Sequence, residues 1–201
     1  PPDMCVPCPT IPGKWTYTGT NGYLVVPPDG RFIIDPGPAE ASTHFGAIIE
    51  NLGAKPSGIL LTHHHSDHFG VVPALRARTD APVYASRAFP DDAFRPDRFL
   101  EDGQVIAGLT VLHTPGHASD HLCFARPDGV LFTGDHVMSW NSSIVSPPDG
   151  NMRDYCDQLQ RLIDRNHRIC LPGHGPVLQA PRPYIEREPG DRTRRAPPNP
   201  P

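Results

Sequence analysis

Residues 58–70 read Gly-Ile-Leu-Leu-Thr-His-His-His-Ser-Asp-His-Phe-Gly, a short apolar run followed at once by four histidines and an aspartate. The apolar run is typical of a buried strand. In the extended chain that follows it, His63 and His65 point to the same side, because successive side chains alternate. Asp67 begins a helical turn, which directs His68 away from His65. One short segment can therefore supply ligands to two adjacent metal ions, the first pair to one ion and Asp67 with His68 to the other.

Three further polar groups follow predicted strands in the same way. His117 lies in Thr-Pro-Gly-His, Asp135 in Thr-Gly-Asp-His and His174 in Pro-Gly-His-Gly. Each stands beside a glycine or proline that turns the chain, and loops held on a rigid sheet are where function concentrates. The two histidines would add one ligand each, and the two carboxylate oxygens of Asp135 can bridge both ions. Imidazole and carboxylate ligands suit zinc first, with iron or manganese as alternatives.

Most of the other histidines are not expected to bind metal, because a lone histidine after a strand is usually exposed or hydrogen-bonded. His64 lies between two ligands and is expected to point away from the metals. The role of His121, close to His117 in the sequence, is left open. The other histidines that are not expected to bind metal are His44, His113, His136 and His167.

Short apolar runs alternate with helical patterns through the middle of the chain. Helical periodicity covers Phe45 to Leu52, residues 67–78 and Tyr155 to Ile163, and Pro73 suits a first turn better than a helix interior. This mixture predicts an α/β or α+β fold with layered sheets and helices. Strands are predicted at 22–26, 31–34, 58–61, 82–85, 109–112, 121–125, 130–132 and 168–171.

Composition limits the function classes. The chain has 201 residues, with 18 Lys+Arg against 22 Asp+Glu and a net charge of −4. This balance argues against a strongly basic nucleic-acid module and against attraction to a membrane surface. No apolar run approaches the length of a membrane span, and no signal-peptide pattern is present. The chain has five cysteines, of which Cys5 and Cys8 form a single Cys-x-x-Cys pair. They are interpreted as thiols in a reducing compartment, so a cytoplasmic location is expected.

Proline marks the predicted domain boundaries. The chain contains 27 prolines, and they are concentrated at its two ends. Residues 1–12 are therefore predicted to form a Pro-rich N-terminal arm and residues 181–201 a Pro- and Arg-rich tail. The catalytic domain is placed at 13–180.

The segment His63-x-His65-x-Asp67-His68 resembles the H-x-H-x-D-H signature of the metallo-β-lactamase superfamily. The later Thr-Pro-Gly-His, Thr-Gly-Asp-His and Pro-Gly-His-Gly segments match its other metal motifs in order. The resemblance implies a four-layer αββα sandwich with two divalent metal ions at one edge of the two sheets. It assigns His63, His65 and His117 to one ion. It assigns Asp67, His68 and His174 to the other, with Asp135 as the bridge.

Asp135 also separates branches within this superfamily. The antibiotic-destroying members generally lack a bridging aspartate at this motif, so a true β-lactamase is disfavoured. The sequence is most similar to the lactamase-β-2-like and glyoxalase II-like branches, partly through the segment from Trp140 to Gly150. That segment is the predicted substrate loop, with candidate contacts at Trp140, Asn141, Ser142 and Ser143. Those branches normally continue into a helical C-terminal segment where this chain has its Pro- and Arg-rich tail.

The resemblance implies a hydrolase in which a metal-bridging hydroxide attacks an ester, thioester or lactone, with Asp67 orienting the nucleophile. The expected substrate is a small molecule or an acyl group, with no membrane involved. A metal-dependent endoribonuclease is the alternative, so RNA is retained as a candidate substrate. A non-enzymatic metal-binding module is the least favoured reading.

Overall fold

A computed structural model describes residues 16–39, 55–90 and 94–188. Two mixed sheets form its centre. The first has the strand order β1-β2-β3-β4-β5 and the second β11-β10-β9-β8-β7-β6. The first five strands are β1 (Tyr23–Val25), β2 (Phe32–Ile34), β3 (Gly58–Leu60), β4 (Val83–Ser86) and β5 (Arg98–Leu100). The other six are β6 (Val105–Ile106), β7 (Leu109–His113), β8 (Leu122–Ala125), β9 (Val130–Gly134), β10 (Ile169–Pro172) and β11 (Leu178–Gln179).

Four helices are described, two after β3 and two in the C-terminal half: α1 (Ser66–Phe69), α2 (Val72–Thr79), α3 (Met152–Arg165) and α4 (Arg182–Ile185). The predicted helix at 67–78 is two helices, and Pro73 lies in the first turn of α2, as expected. The break is fixed by Gly37, whose N–H donates to the His68 carbonyl and whose carbonyl accepts from Val71 N–H. None of the described helices has the length and hydrophobicity of a membrane span.

Alternation along the strands divides the apolar side chains into three layers. In β2, Ile33 faces the layer that packs against α1 and α2, whereas Phe32 and Ile34 face the other sheet. In the second sheet Phe124 faces the first sheet, and Cys123 faces α3. Helix–sheet, sheet–sheet and sheet–helix layers together make the αββα sandwich that the resemblance implied.

The main predicted strands are confirmed, as is the helix containing Tyr155, which begins at the Asn151 cap. The sequence reading did not predict β5, β6, β11 or α4, which are only two to four residues long. The predicted helix at 45–52 and the N-terminal arm at 1–12 lie outside the described residues.

The C-terminal boundary differs from the predicted one. The tail was placed from residue 181, yet Arg182–Ile185 is helical and Ile185 is buried in the layer around α3. Glu188 is buried as well. The packed structure therefore continues to residue 188, because the Ile185 side chain packs into the core although the surrounding stretch is rich in proline.

Parallel directions bring the strand ends together. β2 and β3 are parallel, as are β9 and β10. β7 runs in the same direction as β9, because both are antiparallel to β8. The carboxyl ends of β7, β9 and β10 thus meet the ends of β2 and β3 at one edge of the sandwich. The Leu122 N–H joins the two sheets there, donating to the Thr62 carbonyl across 2.7 Å.

Truncating a side chain in the layer between the sheets should destabilise the protein. Phe124 has no exposed surface, so Phe124→Ala should lower the free energy of unfolding by about 3–5 kcal/mol through lost burial and a residual cavity. Val105 is 67% exposed and provides the control. Val105→Ala should change the free energy of unfolding by less than about 0.5 kcal/mol. Urea unfolding measures both. A loss below about 1 kcal/mol for Phe124→Ala would contradict the assigned core.

Candidate metal centre

The first group of ligands comes from the loops after β3 and β7. His63 Nε2 lies 3.0 Å from His65 Nδ1, and His117 Nε2 lies 3.3 Å and 3.0 Å from these two atoms. The His63 and His117 rings are buried, and His65 is half-buried. Three imidazole nitrogens thus converge on one point, as the first predicted group requires.

The second group comes from α1 and the loop after β10. His68 Nε2 lies 3.3 Å from His174 Nε2, which is 3.1 Å from Asp67 Oδ2. His68 and His174 are buried, and Asp67 is the most exposed of the three. These residues form the second predicted ligand group.

Asp135 lies between the two groups. Its Oδ1 is 3.3 Å from His68 Nε2, and its Oδ2 is 3.5 Å from His174 Nε2 and 3.7 Å from His117 Nε2. Its carboxylate therefore reaches both groups. The structure brings together all seven residues that were predicted to bind metal.

Backbone and side-chain acceptors orient the histidines. His117 Nδ1 donates to the Ile144 carbonyl across 2.5 Å and His174 Nδ1 to the Gly19 carbonyl across 3.2 Å. His63 Nδ1 lies 2.9 Å from Thr62 Oγ1. Using Nδ1 for these contacts leaves Nε2 directed at the centre. Such outer contacts fix both tautomer and ring orientation in metal sites.

Asp35 is linked to both candidate ligand groups and was not predicted from the sequence. Its buried carboxylate accepts from Thr62 N–H at 2.8 Å and Thr62 Oγ1 at 2.6 Å, and lies 2.9 Å from His68 Nδ1. It thereby positions His68 directly and His63 through Thr62. Its backbone has φ 47°, a left-handed conformation that aspartate tolerates better than most residues. Its place between the end of β2 and Pro36-Gly37 was the available signal.

The open question of His121 is resolved by its contacts. Asp135 N–H donates to His121 Nε2 across 3.2 Å, so His121 carries its proton on Nδ1, beside Thr114 Oγ1. Burial lowers the pKa of His121 well below its ordinary value, with the nearby histidines adding to the effect. It is therefore a neutral residue that positions the Asp135 backbone.

The two ligand groups differ in their affinity for protons. Burial and neighbouring histidines lower the pKa of His63 well below its ordinary value and that of His65 to about 4. In the second group burial opposes protonation, but Asp135 and other carboxylates outweigh it. They raise the pKa of His68 well above its ordinary value and that of His174 to about 9.

The carboxylates show the complementary effect. Burial opposes ionisation of both, but His68 and His174 outweigh it. They hold the pKa of Asp67 at about 2 and that of Asp135 well below its ordinary value. Without a cation, the second group is therefore an ion-paired cluster at neutral pH, whereas His63 and His65 are neutral.

The proposed substrate-loop residues have different environments. Asn141 is exposed, and Trp140 is half-buried with its ring centroid 5.3 Å from that of Tyr17. Ser142 Oγ donates to Glu188 across 3.3 Å. Ser143 is buried, and its hydroxyl donates to the Asp135 carbonyl. The loop thus leaves Asn141 exposed and Trp140 partly exposed, while Ser143 fixes the segment that carries Asp135.

Comparison with known proteins gives a family match. A protein-family model with the description Metallo-beta-lactamase superfamily matches this chain over residues 15–100 and 85–174. A solved structure, a di-iron-bound form of TTHA1623, superposes with a TM-score of 0.74 and 30% identity, covering 88% of this chain and 96% of that one.

Curated relatives are longer than this chain. Lactamase-like protein adaB of Aspergillus niger is 37% identical over 176 residues, which are 84% of this chain and 53% of that protein. The Beta-lactamase-like protein 2 homolog of Drosophila melanogaster is 30% identical over 87% of this chain and 65% of its own length. Atrochrysone carboxyl ACP thioesterase AgnL7 of Paecilomyces divaricatus is 35% identical over 91% of this chain and 59% of its own length. The chain spans between half and two thirds of these proteins.

Weakening the Asp35 network should weaken metal binding. Asp35→Asn keeps the size of the side chain but removes the charge that faces His68, so zinc affinity should fall by about 10- to 100-fold. Competition with a chromophoric chelator measures this affinity. Asp157→Asn, on the exposed face of α3, is the matched control. Unchanged affinity in Asp35→Asn would show that the network does not support the ligands.

Metal loading should release protons from His68 and His174 but not from His63 or His65. When metal-free protein is titrated with zinc near pH 7, His68 and His174 should each lose a proton, whereas His63 and His65 have none to lose. The affinity of the second group for its ion should therefore fall as pH drops below about 9, because protons compete for His174. In the first group, protonation of His65 should weaken metal affinity only as pH approaches about 4. Calorimetry in buffers of different ionisation enthalpy counts the protons. Equal release at both steps would contradict the assignment.

Proposed function

Because the chain belongs to the metallo-β-lactamase superfamily, we propose that it is a hydrolase with a two-metal centre that cleaves an acyl bond. A thioester is the first candidate, and an ester or lactone the next. The observation that carries this proposal is Asp135, whose two oxygens face the histidines of both ligand groups. The name of the thioesterase relative supports the choice of an acyl thioester.

The residues present suit two divalent ions. Ligand atoms about 2.0–2.1 Å from a tetrahedral zinc ion lie about 3.3 Å from one another. The first group already has separations of 3.0–3.3 Å between its imidazole nitrogens. Asp135 Oδ1 is buried, and among the described residues it makes no hydrogen bond beyond its 3.3 Å ion-pair contact with His68 Nε2. A cation would satisfy it.

Gly173 leaves room for this carboxylate. A Cβ added at Gly173 would lie 2.5 Å from Asp135 Oδ1, closer than side chains normally approach. The Gly173 N–H also donates to the Gly134 carbonyl across 2.8 Å, which ties the loop carrying His174 to the one carrying Asp135. The glycine therefore allows ligands from two loops to approach one another.

Zinc, iron or manganese at these positions would supply Lewis-acid polarisation of the scissile carbonyl and a more acidic water. His63, His65 and His117 would hold one ion, and Asp67, His68 and His174 the other, with Asp135 between them. The chain's own contribution is to fix these groups before substrate arrives.

Asp67 is the candidate residue for orienting the attacking water. It is the most exposed carboxylate of the centre, with 33% of its side chain accessible against 9% for Asp135. Its low pKa keeps it ionised at neutral pH, and His174 holds its Oδ2 in place. Asp67 can therefore orient a water molecule as an ionised hydrogen-bond acceptor, whereas Asp135 is too enclosed for that role.

The substrate would enter past Trp140 and Asn141. The Trp140 side chain packs close to Gly175, the residue after the ligand His174, and its ring lies beside that of Tyr17. Tyr17 is 47% exposed and Ile144 is 43% exposed, and Ile144 provides the carbonyl that orients His117. These apolar side chains suit an acyl group better than a polyanion.

A substrate panel and one substitution test the proposal. The metal-loaded protein should hydrolyse an acyl thioester faster than a lactone, a β-lactam or single-stranded RNA. Asp135→Asn should reduce turnover by about 100-fold or more, because it removes the charge shared by both ligand groups. Asp157→Asn is the control and should retain full turnover.

The outcomes separate the alternatives. If the protein hydrolysed only RNA, the acyl-hydrolase proposal would be rejected in favour of an endoribonuclease. If it hydrolysed only the β-lactam, the proposal would be rejected in favour of a β-lactamase. Retained thioesterase activity in Asp135→Asn, with both metals still bound, would refute the bridging role. A circular dichroism spectrum of each variant shows whether it is folded.

A further inference from the structure

His64 contacts side chains that lie outside the two ligand groups. Its Nδ1 is 2.8 Å from Oδ1 of Asp120, a carboxylate with no exposed surface, in the loop between β7 and β8. Its Nε2 is 4.0 Å from Oδ2 of Asp149, in the segment before α3. The ring therefore lies between a buried carboxylate and a half-exposed one, and neither belongs to the two ligand groups.

The contact with Asp120 is the kind that prepares a histidine to bind metal. Metal-ligating histidines usually donate their second ring N–H to a carboxylate or carbonyl, which fixes the tautomer. Asp120 occupies that position against Nδ1 of His64. The opposite nitrogen, Nε2, is then the ligand atom, and it is the one that faces Asp149.

Asp149 is held so that one of its oxygens faces His64. Its Oδ1 accepts from Ser119 N–H at 3.1 Å and from Ser119 Oγ at 2.5 Å. Its Oδ2 is buried and has no hydrogen-bond partner within the described part of the chain. Ser119 thus fixes the carboxylate, and the unsatisfied oxygen is the one 4.0 Å from His64 Nε2.

This separation suits a pair of ligands better than a hydrogen bond. A gap of 4.0 Å is too long for N–H to oxygen. Two ligand atoms on one zinc ion lie about 3.4 Å apart, so a shift of about half an ångström would seat an ion between them. A ring nitrogen of His65 completes a group of three ligand atoms that all lie within 4.8 Å of one another.

We propose that His64, Asp149 and His65 form a third cation site at the rim of the two-metal centre. It would take a divalent ion that accepts imidazole together with carboxylate, of which zinc is the first choice. All three side chains are half-buried. His65 directs Nδ1 at the first ligand group, so it would bind the third ion through Nε2 and release the proton of that nitrogen to solvent. The third ion should therefore bind more weakly than the other two.

Zinc binding in solution tests the third site. The titration should use a Cys5→Ser/Cys8→Ser background, because the Cys-x-x-Cys pair could itself bind zinc. Equilibrium dialysis against rising free zinc, followed by elemental analysis, should give two tight equivalents and a third weaker one. Asp149→Asn should weaken the third by about tenfold or more, because it removes the charge at Oδ2 but keeps an acceptor for Ser119.

A second substitution and a control complete the design. His64→Gln should also weaken the third equivalent, while Asp80→Asn, a change of equal charge at an exposed site, should leave all three in place. A limit of two equivalents in the parent, or a third equivalent unchanged in Asp149→Asn, would overturn the proposal. Loss of the two tight equivalents would instead count against the metal centre on which the proposed function rests.

Discussion

The buried carboxylate of Asp35 is the constraint on which the centre depends. A buried charge is costly unless it is paired and hydrogen-bonded. Asp35 meets this requirement with Thr62 N–H, Thr62 Oγ1 and His68 Nδ1. The end of β3 and the start of α1 must therefore lie where these donors reach the end of β2. Since Thr62 also contacts His63, one carboxylate sets the position of a histidine in each ligand group.

The layered core makes that edge rigid enough for the purpose. Side chains alternate between two apolar layers along each central strand, so a slip of one residue would exchange a whole row of packed side chains. The register of β2 against β3 and of β9 against β10 is fixed by this packing. The polar loops then begin at set positions, and the Leu122–Thr62 hydrogen bond joins the two sheets beside the ligands.

Local pattern was sufficient to predict the ligands but not their supports. Apolar runs followed by histidine or aspartate and a turn residue mark the ends of strands, and parallel strands place those ends together. That reasoning, with the resemblance, predicted the sandwich and the seven candidate ligands that the structure brings together. Asp35 was missed because a single aspartate before Pro-Gly resembles an ordinary turn. Its role depends on a contact with His68, which is far away in the sequence.

The differences in secondary structure have a similar origin. β6 and β11 are two residues long, so they carry no measurable periodicity, and their partners β7 and β10 define them. Helix α4 begins in a proline-rich stretch whose composition suggests an extended tail. It exists because Ile185 packs into the layer around α3, a tertiary contact that composition does not reveal.

Opposite charges balance one another within the second ligand group. The protons that carboxylates hold on His68 and His174 balance the charges of Asp67 and Asp135. A divalent ion entering this group displaces two protons, so the net charge of the buried cluster is unchanged. Small zinc domains unfold without metal because nothing else replaces the ion. In this chain the protonated histidines pair with the carboxylates of the cluster, and apolar layers pack the strands that lead to it.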